Sequence, residues 1–159
     1  STESLATVRR VPNEPGMAAK VFTLLAEAGV NVDMIVQASA STGTADISFT
    51  VPGSAAAKVR DVLQEKQDEL GYQSFDIDAN VGKVAVVGVG MKTHSGLAAK
   101  FFNALSDEGV NVLMISTSEI RIAALVPLEQ LQDAVRALHT AYGLDAEQVE
   151  AVVYGGTGR

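Results

Sequence analysis

The sequence predicts an α+β protein made of two tandem copies of one small β-α-β-β-α-β unit, each an antiparallel sheet with both helices on one face. Three observations predict it. Gly16 to Val36, GMAAKVFTLLAEAGVNVDMIV, recurs eighty residues later as GLAAKFFNALSDEGVNVLMIS, Gly96 to Ser116, with 12 of the 21 aligned positions identical. The period is about half the chain, far above that of a solenoid, so it marks two domains. Helical stripes and alternating strands then follow each other in the same order in both halves. Finally, 159 residues suit two domains of about 80 each, placed here at 1–80 and 81–159. Units that small bury only about 60 % of their unfolded surface and are expected to cover one another or meet another chain.

In the first half, Leu5 to Val11 reads as a strand, weakly patterned because of Arg9 and Arg10. The loop Pro12 to Gly16 leads into a helix whose apolar stripe is Met17, Val21, Leu25 and Ala28, with Gly29 closing it. A strand from Val30 to Gln37 follows, with Val30, Val32, Met34 and Val36 on one face; Ser39 to Gly43 is a turn. Ala45, Ile47, Phe49 and Val51 alternate with Asp46, Ser48 and Thr50 in the next strand. Ser54 is placed to cap a second helix that buries Val59, Val62, Leu63 and Leu70 and ends at Gly71. Tyr72 to Asp78 is the fourth strand, and Ala79 to Gly82 is the one linker candidate.

The second half repeats this order. It has a strand from Lys83 to Val89, the loop Gly90 to Ser95 containing His94, and a helix turning Leu97, Phe101 and Leu105 inward. Strands over Val110 to Ser116 and Glu119 to Val126 come next. A helix started by Pro127 carries Leu128, Leu131, Val135, Leu138 and Tyr142 and stops at Gly143. Gln148 to Tyr154 is the last strand. This order in each half gives a ferredoxin-like fold.

Bulk composition excludes several classes. A formal charge of −7 argues against a nucleic-acid partner. With no Cys, disulfide and thiolate chemistry is excluded, and two His are too few for a structural zinc site. No run of 18 apolar residues exists and the N-terminus has no signal-peptide core, so no membrane association and a cytoplasmic location are expected.

Two sets of repeated residues are candidates for binding. Gly16 and Gly96 stand at helix starts, where unpaired N–H groups and the dipole attract a carboxylate and glycine permits close approach. Gly-Val-Asn at 29–31 and 109–111 offers an amide and free backbone groups at a strand start, read as lying near the same end of the domain. Together they suit the amino and carboxyl groups of a free amino acid, although both are also ordinary turn chemistry. Catalysis finds no constellation. His94 reads as loop-fixing and His139 as solvated. Asp76 and Asp78 read as an exposed strand edge, and the glycines at 82, 88 and 90 make no phosphate loop.

These residues resemble a known family. The β-α-β-β-α-β unit with a Pro-Gly or Ser-Gly helix start and a GVN strand start is similar to the ACT domain, typically an amino-acid-sensing module. PG-x-AAKVF, GVNVDMIVQ, VGKVAVVGVGMK, MISTSEIRI and AVVYGGTGR together resemble the regulatory region of aspartate kinase, most of all the small β subunit of the lysine- and threonine-inhibited type. The resemblance implies effector sites between ACT units. One would use Asn13, Pro15, Gly16, Met17, Ala18 and Gln37 with Asn111 and Val112. The other would use Thr93, His94, Ser95, Gly96, Leu97 and Ala98 with Asn31, Val32, Asp33 and Met34, with Ser118 and Glu119 close by. Asn13 stands where the family often has an aspartate, so Asp33 or Glu119 would have to meet a lysine ammonium. Ser95 stands where proline is usual, and Ala98 where a hydroxyl residue can occur.

The resemblance implies a non-enzymatic regulatory chain: threonine or lysine as effector, no cofactor and no metal. Its partners would be a separate catalytic aspartate kinase subunit and a second copy of itself. A free-standing ACT pair controlling transcription or another biosynthetic enzyme is the alternative reading, and an enzyme in its own right is the third.

Overall fold

A computed structural model describes residues 3–88, 94–118, 120–143 and 151–155. The chain divides into two compact units, Ser1–Ala79 and Asn80–Arg159. In the first, β1 (Glu3–Pro12), α1 (Met17–Glu27), β2 (Ile35–Ser39), β3 (Thr44–Pro52), α2 (Ala56–Glu65), α3 (Gln67–Leu70) and the start of β4 (Ser74–Gly88) follow in order. The second runs from the remainder of β4 through α4 (His94–Asp107), β5 (Met114–Thr117), β6 (Arg121–Pro127), α5 (Leu131–Tyr142) and β7 (Ala151–Gly155). Strand order is β2-β3-β1-β4 in the first and β5-β6-β4-β7 in the second. β1–β3, β2–β3, β4–β6, β4–β7 and β5–β6 all pair antiparallel. Taking β4 as first strand of the second unit, both orders are 2-3-1-4, the ferredoxin-like arrangement expected.

Each unit has its own core between sheet and helices. In the first, Val8, Ile47, Phe49 and Val51 from the sheet meet Val21, Leu25, Val59 and Leu63 from the helices. Phe22 sets its ring edge-on to Phe49 at 5.5 Å. In the second, Val84, Val86, Ile122 and Ala124 meet Phe101, Leu105, Leu131 and Leu138. The helix stripes read from the sequence supply these inward faces.

Several local expectations are corrected. Ala79 to Gly82 is strand within β4, not a linker. No side chain caps α2: Gly53–Ala55 makes a 3-10 turn, so the helix starts two residues after Ser54. The second helix breaks at Lys66, and at this break the Tyr72 hydroxyl donates to the Leu63 carbonyl at 2.6 Å. That carbonyl is the one Gln67 would use in a continuous helix. In β1 the register slips between Val8 and Val11, a bulge at Arg10, which has φ 59 and donates its N–H to Asp46 Oδ1 at 3.0 Å. The strand expected from Val30 begins only at Ile35, and every residue of β2 is exposed, Val36 included.

Candidate functional site

At the mouth of α1, Pro15 disfavours helical conformation for the residue before it and Gly16 turns to φ 90, ψ −11 as the N-cap. No side chain caps the helix. The Glu14 carbonyl takes the Met17 N–H at 3.1 Å and the Gly16 carbonyl takes the Lys20 N–H at 2.9 Å. The amides of Ala18 and Ala19 are left at the helix mouth, beside partly buried Met17. Asn13 stands over this turn. Its N–H donates to the Gly43 carbonyl at 3.0 Å, its Nδ2 to Ser39 Oγ at 3.3 Å, and its Oδ1 accepts Gln37 Nε2 at 3.4 Å. Asn13, Pro15, Gly16 and Gln37 are all exposed. The arrangement presents backbone N–H groups and neutral amide oxygens side by side, which suits a zwitterion.

Asn31, Val32, Asp33 and Met34 lie elsewhere. They follow the left-handed Gly29 at the far end of α1, and a helix of 11 residues is about 16 Å long. The expectation that helix start and GVN turn share one end of the unit is therefore wrong: the end of β2 comes back to Asn13, not its start. At the far end Asn31 and Asp33 are exposed, Val32 packs on the core and Met34 is buried. Thr50, fully buried, organises this segment. Its hydroxyl accepts the Met34 N–H at 2.9 Å, its carbonyl accepts the Asp33 N–H at 2.9 Å, and its N–H donates to the Met34 carbonyl at 3.0 Å.

The second unit departs from the first at the helix mouth. His94, read from sequence as a loop residue, is the first residue of α4, and Gly96 lies inside its first turn rather than at the cap. Ser95 replaces proline here, so nothing stops the helix extending back. Leu97 and Ala98 are partly buried. Thr93 and Glu119 lie outside the described residues. Asn111 donates its N–H to Gln130 Oε1 at 2.8 Å, while Gln130 Nε2 donates to the Gly109 carbonyl at 3.2 Å, clamping the second GVN turn. Val112 packs on the core. Ser118 donates its N–H to the Arg121 carbonyl at 2.8 Å and accepts the Ile120 N–H on Oγ at 3.4 Å.

Sequence reasoning missed Ser39, Gly43, Thr50 and Gln130. Thr50 is a polar residue in an alternating strand, and its burial gave no signal. Gln130 has no counterpart in the repeat, since Ala55 holds the matching place before α2. Among the other candidates, Asp76 accepts two hydrogen bonds from Arg9, at 3.0 and 3.3 Å, and His139 is exposed. Among the described residues no group of three metal-ligating side chains exists, and no helix is long and apolar enough to cross a membrane.

Comparison with known proteins gives this geometry a context. The sequence profile of the ACT domain matches residues 9–67 and 84–142. Aspartokinase of Corynebacterium glutamicum is 46% identical over 160 residues, covering 99% of this chain and 38% of that protein. Aspartokinase of Mycolicibacterium smegmatis is 43% identical over the same shares. The chain thus spans 38% of the length of these curated relatives. A crystal structure of aspartokinase alpha and beta subunits has a chain that is 43% identical, with TM-score 0.84, covering 90% of this chain and 94% of that one. The ligand-free regulatory subunit of aspartate kinase from Thermus thermophilus is 35% identical, with TM-score 0.82, over 89% of this chain and 93% of that one.

Proposed function

Because this chain belongs to the ACT-domain family, as a tandem pair of the aspartate kinase regulatory type, we propose that it senses an end-product amino acid and passes the binding energy to a catalytic kinase domain. Threonine or lysine is the effector, and binding lowers the catalytic rate. The kinase partner is a separate chain, as in the similar structure of alpha and beta subunits.

The observation that carries this reading is the mouth of α1. Uncapped amides stand ready for a carboxylate, and the Asn13–Gln37 pair stands ready for an ammonium. One unit cannot supply both its helix start and its GVN turn to one ligand, so a second ACT unit must complete each site. The outer strands support a partner copy. Ile35 and Val36 on β2, and Leu113, Ile115 and Ile120 on and beside β5, are large apolar side chains left exposed. A homodimer covers them, and an effector held across two units tightens it.

Calorimetric titration against the twenty amino acids tests the reading. One or two L-amino acids bind, D-isomers do not, and ligand at about 100 times its dissociation constant adds roughly 2.7 kcal/mol of stability. Light scattering then shows a dimer that the effector strengthens, and the chain co-purifies with an aspartate kinase catalytic chain. No binding by any amino acid at millimolar concentration overturns the proposal.

A further inference from the structure

Val8 and Val11, at an odd spacing, are buried in the same core. An unbroken strand would turn them to opposite faces, so one extra residue has to be taken up between them. It is taken up at Arg10. Val8 pairs with Ile47 and Val11 with Ala45, so Arg9 and Arg10 together stand opposite Asp46. Among the described residues Arg10 alone has positive φ without being glycine, at 59, a conformation that strains any side chain. Asp46 meets it with a carboxylate that accepts the Arg10 N–H at 3.0 Å. Arg9 is held from the other side, its carbonyl taking the Gln73 N–H at 2.9 Å and its guanidinium lying on Asp76.

The repeat builds this place otherwise. Glu3 pairs with Pro52 as Val81 pairs with Pro127, so Gly88 answers to Arg10 and Arg121 to Asp46. The second copy has a glycine, which takes positive φ without strain, and no carboxylate opposite it. The strained residue and the acid that holds it belong to the first copy, and so do the contacts that follow them. Asn13 comes next but two after Arg10, with its N–H on the Gly43 carbonyl and its amide between Ser39 and Gln37. Without the extra residue this end of β1 would slip by one and turn the Asn13 side chain away from both.

We propose that Asp46 is a positioning residue for the effector site: through the Arg10 N–H it holds the bulge that brings the Asn13 amide onto Gln37 and Ser39. The proposal rests on the amino-acid sensing proposed above and adds where the geometry of the Asn13–Gln37 pair is set. Asp46 acts through the backbone and needs no contact with the ligand. Backbone strain persists where the surroundings over-determine it, and this carboxylate supplies that hold.

The test uses the full chain with Asp46→Ala, Asp46→Asn and the double variant Asp46→Ala/Arg10→Gly. Val59→Ala, a core truncation in α2, is the control for lost stability. Without ligand, hydrogen exchange of the Asn13 amide is expected to speed up about tenfold in Asp46→Ala and to stay at the parent rate in Asp46→Asn, which keeps an acceptor. Titration with threonine and lysine, well below the melting temperature, is expected to show binding about fivefold weaker in Asp46→Ala. Asp46→Asn and the double variant should bind within about twofold of the parent, the first through its amide oxygen and the second because glycine holds the bulge unaided. Val59→Ala should melt earlier and bind as the parent does. If Asp46→Ala does not fold, Asp46→Glu, which keeps the charge and displaces the acceptor, takes its place with the same expected directions. Parent-like binding in Asp46→Ala makes the bulge a packing device only and overturns the proposal. So does equal loss in Asp46→Asn and Asp46→Ala, which would make the charge itself the active element, and so does a double variant that fails to recover. A parent chain that binds neither amino acid overturns the proposed function, and this assignment with it.

Discussion

Gly82 faces Leu131 so closely that a Cβ on Gly82 would stand 2.8 Å from Leu131 Cδ2 and 3.3 Å from its Cγ. Strand β4 passes under the start of α5 at this point, and Gly82 pairs with Val126 in β6. The repeat solves the same problem differently. By register Ser4 holds the place of Gly82, since Glu3 pairs with Pro52 as Val81 pairs with Pro127. Ala56, first in α2, holds the place of Leu131. One copy uses a small helix residue over a serine, the other a large one over a glycine.

The two halves of a swap should therefore cost less together than the sum of their separate costs. Gly82→Ala overpacks a buried leucine and is expected to cost about 1–3 kcal/mol. Leu131→Ala opens a cavity and costs about 2–5 kcal/mol. The double variant should be more stable than the sum predicts, by about 0.5 kcal/mol or more. Urea unfolding of the four proteins measures this, and strict additivity would show that the two positions do not share the space.

The repeated glycines should respond with opposite signs. Gly16 sits at φ 90 with open space around its missing Cβ, so Gly16→Ala pays backbone strain alone, about 1 kcal/mol. Gly96 also has open space but is not among the left-handed glycines and lies inside α4, so Gly96→Ala should gain up to about 1 kcal/mol. Thermal melts of both variants check this. Gly16→Asp would pay the same strain, and it also sets a negative charge where the carboxylate is proposed to sit. Equal destabilisation by both alanines would mean that α4 starts as α1 does.

That contrast also shows how far the sequence could be read. The repeat made the element order legible, and the alternation of Ala45 to Val51 placed β3 correctly, because buried apolar faces impose their period on the chain. What it hid were exchanges between side chain and backbone. The hydroxyl of Tyr72 takes the Leu63 carbonyl where the second helix breaks, and the Thr50 hydroxyl takes the Met34 N–H just ahead of the start of β2. At the candidate site, Asn13 and Gln37 come from the resemblance, and their contact joins the loop after β1 to β2, 24 residues on, which spacing alone does not show. Ser39 and Gln130 escaped because their value lies in what they reach, which spacing alone does not encode.

Asn13→Asp should retune selectivity without disturbing the fold. The carboxylate keeps both contacts of the amide, accepting from Gln37 Nε2 and from the Ser39 hydroxyl. It adds a negative charge at an exposed position, where such a charge is worth up to about 1 kcal/mol. Lysine should then bind up to about fivefold tighter relative to threonine, and less so at high salt. Competition calorimetry at low and high ionic strength reads the ratio, and an unchanged ratio would place the ligand's charged groups away from Asn13.

The last prediction concerns alkaline pH. Burial pushes the Tyr142 phenol from 10.0 up to about 12, because its anion cannot be solvated beneath α4. The same burial raises Tyr72. In the unfolded chain Tyr142 ionises near its ordinary value and releases its proton first. The stability it contributes is therefore complete below about pH 10, and is lost as pH rises from 10 through about 12, where the folded protein also ionises. The loss is on the order of 2 kcal/mol over that window. Lysines titrate there too, so the quantity to measure is the difference between the parent and Tyr142→Phe in urea unfolding at several pH values. The difference should be flat from pH 7 to about 9.5, with the parent more stable by the worth of the hydrogen bond that the Tyr142 hydroxyl donates to the Leu97 carbonyl at 2.7 Å. It should shrink or change sign toward pH 12, since phenylalanine has nothing to ionise. A difference that stays constant across the whole range would mean that the Tyr142 hydroxyl reaches water, and that its hold on α4 is weaker than the 2.7 Å contact implies.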